Sequence, residues 1–501
     1  MGKYKNQDEL NLCYSSLIGG IYFMDVKVKN DPTKRTFQQF IFPFTLEGKM
    51  IEKFVGKLLE DNFVFLNLKD MEQQNQFYGG HKVSHRKLEK YFMPYIEPIL
   101  FPGNAKQKEG LRRFTKKLDI DCTFESPYLN TPFIINSIDI FICPFHIGMM
   151  NLRVTLPEGL SHNDVLYFGD TFRILEPIAD DEEKTKVGCR ENQYEQVKDF
   201  IFNELLPPIE EYIDEEQADP TYFGSLPFFI DERMYVISYT AFPENRDISK
   251  NDLFRISELN GYDNDGEPYI GALNPDYIEK YYQERVYDRW GKETYYVTSM
   301  YHFACVTKAT GKLEQELASE MYGQHFYTLL LFFYYKIVLL KLAHEHSQID
   351  VEKDQSDTEQ LIFMITQFSA KYLFTEVNST AIGKELFKKT DETFRIAPLY
   401  KEVKETLSYL YQNQDKLAGK RSNYLLQILT IYTVVSGIFG MNLYIEDWKG
   451  KLPWKEYMDY TLYEWVAVIV TTSGLIISGI LGFIFLKKWL QEKKSRKKRM
   501  L

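Results

Sequence analysis

The 501-residue sequence predicts an α+β membrane protein: an N-terminal cytoplasmic α/β domain, a stalk of long helices, and two C-terminal transmembrane helices. Three observations predict it. Residues 1–311 alternate β-branched and aromatic runs with helical patterns. From Lys312 the pattern changes to long helical periods, across 312–423. Two uncharged apolar runs, 424–439 and 465–486, then close the chain ahead of a Lys/Arg-rich tail, 487–501. Charged residues make up 26% and hydrophobic ones 44%, an ordinary globular balance, so the membrane part is small.

In the first domain, residues 21–28, 37–45, 133–143, 150–156, 234–239 and 295–304 read as strands. Helices are predicted at 50–61, 87–99, 163–175 and 194–212, and Pro207, Pro208, Pro220 and Pro227 mark loops. In the stalk, one helix is predicted from Lys312 to about His346 and another over 356–374. Residues 327–342 are strongly apolar but hold Lys336 and Lys341 and are short for a span, which predicts a buried core helix. Pro398 opens the last helix, along which Leu399, Val403, Leu407, Leu410, Gln414 and Leu417 recur at three- and four-residue steps. No proline interrupts it before Gly440, so one helix of roughly forty residues runs from the stalk into the first span.

The first span, 424–442, carries its polar and small residues on one stripe. At ~100° per residue, Asn423, Gln427, Thr430, Thr433, Gly437 and Gly440 share a side, and Ile428, Ile431, Tyr432, Val435 and Phe439 face away. Such a stripe suits a watery pore; helix packing through Thr and Gly is the alternative. The second span, 465–486, has no ionisable residue, is rich in Gly and Ser, and sits between Trp465 and Trp489.

Charge sets the orientation. The tail holds eight Lys/Arg against one Glu, and Lys416, Lys420 and Arg421 precede the first span. The loop 443–464 has five acids against three lysines. Both termini are therefore expected in the cytoplasm and the loop outside. Removing the tail's +7 from the formal −11 leaves −18 for the rest, an acidic body that predicts no nucleic-acid partner and a local excess of cations. Five scattered cysteines without a C-x-x-C pair suit a reducing compartment and predict neither a disulfide framework nor structural zinc. The polar N-terminus starts no signal peptide.

The first span ends on Gly440-Met441-Asn442, and the segment before it reads Leu429-Thr430-Ile431 through Gly437-Ile438-Phe439. In this position the pattern resembles the CorA family of divalent-cation transporters, in its two-span Gly-Met-Asn type. The resemblance implies a homopentameric funnel in the cell (inner) membrane, passing magnesium inward under the membrane potential, with no cofactor and with Mg2+ as cargo and regulator. It makes Gly440, Met441 and Asn442 the selectivity filter, with Asn442 holding a hydrated ion through its amide oxygen. It makes Thr430, Thr433 and Gly437 pore-lining, and Leu426 an apolar constriction. Glu446 and Asp447 in the outer loop would attract cations. Glu405 and Asp415 are stalk acids that could hold a regulatory ion.

The chain departs from the family in lacking a proline in the first span and a Met-Pro-Glu-Leu stretch in the loop. Zinc, cobalt and nickel therefore stay open beside magnesium. A membrane-anchored signalling or interaction protein is the alternative class. Enzymatic activity is not expected, because no catalytic triad, phosphate loop or metal cluster is present in the sequence. His81 and His85 are spaced i,i+4 without a third ligand and read as surface residues; His344-Glu345-His346 is not a zinc motif. The Asn378-Ser379-Thr380 sequon is expected to stay bare.

Overall fold

The computed structural model describes residues 30–177, 185–207, 209–212, 233–349, 355–442, 460–466, 468–469 and 472–474, with single positions at 476, 480, 483 and 487. They fall into two compact units, Met1–Glu405 and Thr406–Leu501.

The first unit is α+β and is built on one mixed sheet. Its strands are β1 (Arg35–Thr45), β2 (Val64–Phe65), β3 (Arg112–Glu125), β4 (Asn130–Cys143), β5 (Ile147–Leu156), β6 (Lys186–Cys189), β7 (Asn192–Tyr194), β8 (Tyr235–Ala241), β9 (Val286–Tyr287), β10 (Thr294–Thr298) and β11 (His302–Thr307). The order is β7-β6-β3-β4-β5-β1-β8-β11-β10-β9, with β2 also on β3. The β8–β11 pair is parallel; the other described pairs are antiparallel. β1 lies centrally and ten of its eleven residues are buried, as expected for a strand covered on both faces.

Helices cover the two faces. The first face takes α1 (Ile51–Glu60), α4 (His162–Phe172) and a short α5 (Val197–Asp199) that runs into a π-helical turn at Phe200–Leu205. Phe40 meets Phe172 edge-on at 4.9 Å, and Phe42 meets Phe202 at 6.3 Å. Alternate residues of the same strands point the other way, to α8 (Gly311–Tyr322) and α9 (Gln324–Gln348). There Phe37 stacks on Tyr322 at 4.0 Å, and Gln39 donates to the Met321 carbonyl. Behind α9 lie α10 (Gln355–Lys371) and α11 (Ala381–Phe394), where Phe332 touches Phe387 at 4.4 Å and Tyr335 meets Phe368. Helix α9 is apolar all round because it is covered all round. Among the described residues, Gly311–Gln348 is the one stretch long and apolar enough to cross a membrane, and 83% of its apolar window is buried in this unit. The remaining helices are α2 (His85–Tyr91), α3 (Glu97–Leu100), α6 (Lys250–Glu258), α7 (Pro275–Arg285) and α12 (Ile396–Asn442).

Several predicted elements are corrected. The strand expected over 295–304 is a hairpin, β10 and β11. Ser299 Oγ accepts the Tyr301 and His302 amides and turns the chain there. The helix expected over 87–99 splits into α2 and α3 around Pro94, which cannot donate within a helix. The helix expected over 194–212 begins inside β7 and breaks into short turns before the two prolines. The helix expected from Lys312 breaks at Gly323, where a Cβ would lie 2.9 Å from Val83 Cγ1. Strand β3 was not expected, because its second half reads as charged alternation. Helices α6, α7 and α11 were also unexpected. Their caps were readable: Ser249 with Asp252, Asn274 before Pro275, and Thr380. The strand expected over 21–28 lies outside the described residues.

Candidate pore segment

Helix α12 begins after Arg395, whose left-handed backbone (φ 57°) ends α11 and redirects the chain. Its 47 residues run unbroken to Asn442, as the missing proline predicts. Along its first half Ile396, Val403 and Leu410 are buried, and Leu399, Leu407, Gln414 and Leu417 are half-buried. The periodic stripe read from the sequence is thus the covered one.

The character then changes. From Lys420 to Ile431 every residue is exposed on this chain, including Leu425, Leu426, Ile428 and Leu429. Ile431 is 63% exposed. Tyr432 is the half-buried exception, and its hydroxyl hydrogen-bonds Ser473 Oγ at 3.0 Å. A Cβ on Gly474 would come within 3.2 Å of the Tyr432 ring. The residues around Ser473 are helical at every described position from Leu462 to Lys487. Thr461 caps this stretch, with its amide and hydroxyl both donating to the Glu464 carboxylate at 2.7 Å.

Tyr432 therefore marks the side of α12 turned to the helical stretch around Ser473. Gly437 lies roughly 140° around the helix from it, at ~100° per residue. Leu426, Thr430, Thr433 and Gly437 are all exposed on that other side. The Thr430 and Thr433 hydroxyls donate back to the Leu426 and Leu429 carbonyls at 2.7 and 2.8 Å. Each hydroxyl oxygen keeps acceptor capacity facing outward.

The backbone of Gly440, Met441 and Asn442 forms the last turn of α12; their side chains lie outside the described residues, as do Glu446 and Asp447. Glu405 and Asp415 are exposed, and Glu405 stands 3.9 Å from Lys401. Among the described residues no group of three His, Cys, Asp or Glu side chains could hold a metal ion.

Two smaller readings change. His85 is buried, with Nδ1 against the Leu68 carbonyl at 2.8 Å, and His81 packs between Phe37 and Tyr322. Neither is a surface residue of one shared helix. Asn378 is wholly buried, so the folded sequon cannot accept a glycan.

Sequence reasoning missed a buried charge cluster on the α9-facing side of the sheet. Asp139 on β4 receives Arg113 (β3) at 3.1 Å and Arg153 (β5) at 2.6 Å. It also accepts from Thr115 at 2.8 Å and Asn151 at 3.0 Å, both its register partners. Arg113 reaches Tyr327 OH on α9 at 2.8 Å, and Tyr78 lies against both guanidiniums. Burial pushes the Asp139 carboxyl up, but Arg113, Arg153 and the hydrogen bonds outweigh it and bring it down to about 2. The available signal was a charge inside each of two apolar strand runs, Asp139 and Arg153. No protein-family model, curated protein or solved structure matches this chain.

Proposed function

We propose that this chain is one subunit of a homo-oligomeric, membrane-spanning channel for divalent cations, with α12 lining the pore. The carrying observation is the exposed stripe Leu426, Thr430, Thr433 and Gly437, on the side of α12 away from the Tyr432–Ser473 contact. Among the described residues that stripe makes no contact with the helical stretch around Ser473, which favours a pore role over in-chain packing for its Thr and Gly. The exposed leucines and isoleucines around it call for lipid or neighbouring subunits. Two spans per chain cannot enclose a pore, so several copies ring an axis, five in the CorA arrangement that the Gly-Met-Asn turn resembles.

In this reading both termini are cytoplasmic and Asn442 lies at the outer mouth of the cell membrane. A hydrated ion meets a ring of Asn442 amides, passes the Thr433 and Thr430 hydroxyls and leaves past Leu426. Magnesium is the first candidate, since it sheds water reluctantly and can be held through its hydration shell. A divalent ion crossing 100 mV gains ~4.6 kcal/mol, enough to drive uptake without a nucleotide motor.

The test is flux into liposomes containing the purified protein. Magnesium influx that follows the imposed potential, is blocked by cobalt hexaammine and disappears in Asn442→Ala supports the reading. Flux and block unchanged in Asn442→Ala remove the asparagine ring. Running zinc, cobalt and nickel in the same assay assigns the cargo.

A further inference from the structure

The described residues include four cysteines, all free thiols and all buried: Cys122, Cys143, Cys189 and Cys305. Two of them meet. Cys122 on β3 and Cys189 on β6 are direct partners in the antiparallel register. Cys143 is paired with Ile147, and Cys305 with Tyr296 and Tyr239, so neither has a thiol opposite it.

Directly opposed residues on antiparallel strands hold their Cα atoms about 4.5 or 5.5 Å apart, depending on whether the pair exchanges ladder hydrogen bonds. A disulfide spans about 4.4–6.8 Å between Cα atoms, so either kind of pair can close one with little backbone movement. The side chains also point the same way. Alternation puts Cys122 with Phe124, and Cys189 with Val187, on one covered face, and all four belong to one apolar core. Gly188, next to Cys189, lets β6 lie close on β3: a Cβ there would come within 2.4 Å of Thr123 Oγ1.

The pair sits near one edge of the sheet. Beyond β6 comes β7, three residues long, and Lys186, Asn192 and Gln193 are exposed. Glu204 ties this ribbon down, taking Arg190 at 2.9 Å and the Tyr194 hydroxyl at 2.6 Å. Short edge strands open before central ones, which admits a reagent to buried thiols.

The two thiols are not equivalent. Burial raises both pKa values and keeps the resting pair protonated. The side chains also hydrogen-bond each other, which raises Cys122 further and works against the rise at Cys189. Cys122 is thus the donor, and Cys189 is the sulfur whose thiolate is favoured.

We propose that Cys122 and Cys189 form a reversible disulfide that pins the β6–β7 ribbon to β3, made by exchange with a small disulfide of the glutathione type. When the ribbon opens, the Cys189 thiolate attacks one sulfur of that disulfide and expels the other as a thiolate. Cys122 then loses its proton and attacks the Cys189 sulfur, and the second small thiolate leaves. The leaving groups take up the two protons that the cysteines lose. Two cysteines are oxidised, and one small disulfide is reduced to two thiols. In a reducing compartment the pair rests open and closes when the thiol pool is oxidised.

Peptide mapping of the full-length protein in detergent, after incubation with oxidised glutathione and no denaturant, tests this. A linked Cys122–Cys189 peptide is expected, with Cys143 and Cys305 still free, and a thiol reductant should reverse it. The oxidised protein should melt roughly 5 °C above the reduced one, because the bond closes a long loop in the unfolded chain. Cys122→Ser should stop at a glutathione adduct on Cys189, whereas Cys189→Ser should leave Cys122 largely unmodified. No linked peptide in the folded wild type, or one that forms only in urea, overturns the proposal. A link to Cys143 or Cys305 in its place does the same, and equal adducts in the two variants overturn the order of attack. The wild-type map needs no variant to fold, and its covalent readout is independent of the channel reading.

Discussion

Helix α9 and the C-terminal part of α12 are both long and apolar, and they live in opposite surroundings. In α9 Leu330 and Leu331 are 0% exposed, enclosed by the sheet on one side and by α10 and α11 on the other. In α12 Leu429 and Ile431 are 59% and 63% exposed on the same chain. Both carry long runs of apolar residues, so composition alone does not tell their surroundings apart. The difference is the supply of partners: α9 finds them within its own unit, and the end of α12 leaves its apolar residues exposed on this chain, which the proposed channel would cover with lipid or another copy.

A charge placed in each helix breaks this comparison most sharply. Leu330→Arg puts an unpaired guanidinium into a dry core and should cost more than about 4 kcal/mol, enough to unfold the first unit. Leu429→Arg should leave that unit's thermal transition unchanged and, under the proposed channel reading, weaken membrane insertion by ~3 kcal/mol. Melting and membrane fractionation of both variants decide it. Equal losses of first-unit stability would erase the distinction.

The Arg113–Asp139–Arg153 cluster comes next, since it ties the sheet to α9. Asp139→Asn leaves two buried guanidiniums without their carboxylate and should cost ~3–5 kcal/mol. The same carboxylate makes stability depend on pH with a definite sign. Its folded pKa of about 2 lies below the ordinary carboxyl value of 3.8, so its contribution is whole above pH 4 and fades as pH falls toward 2. Acid titration of wild type and Asp139→Asn should show that component vanish in the variant.

Truncations give smaller effects. Leu330→Ala should cost ~2–5 kcal/mol through the cavity left behind, and Leu429→Ala well under that, because its surroundings are not a packed core in this chain. Urea unfolding of the first unit measures both. The smallest expected effect is Tyr432→Phe, which removes one hydrogen bond to Ser473 and should lower stability in detergent by ~0.5–1.5 kcal/mol.

Much of the sheet was legible. β1, β4, β5 and β8 were found near their observed bounds, because buried strands read as continuous β-branched and aromatic runs. β3 was hidden because Lys116, Lys117, Asp119 and Asp121 interrupt its apolar residues. The charge cluster was hidden for another reason: Arg113, Asp139 and Arg153 lie apart in sequence, and only the β3–β4–β5 pairing brings them together. Of α12, the stripe and the unbroken helix were legible. The side of α12 that meets the helical stretch around Ser473 was not, because that contact joins residues forty-one positions apart.

By itself the sequence determined the periodic properties of this protein: where helices can start, which stretches are apolar, and the polar stripe on α12. These follow from backbone geometry, 3.6 residues per turn in a helix and two per repeat in a strand, and need no distant partner. Tertiary structure alone decided which apolar helix is core, that Asp139 holds two arginines, and that Cys189 faces Cys122. Those depend on residues meeting from far along the chain: Arg113 reaches Tyr327 across 214 positions, a contact that no local pattern encodes.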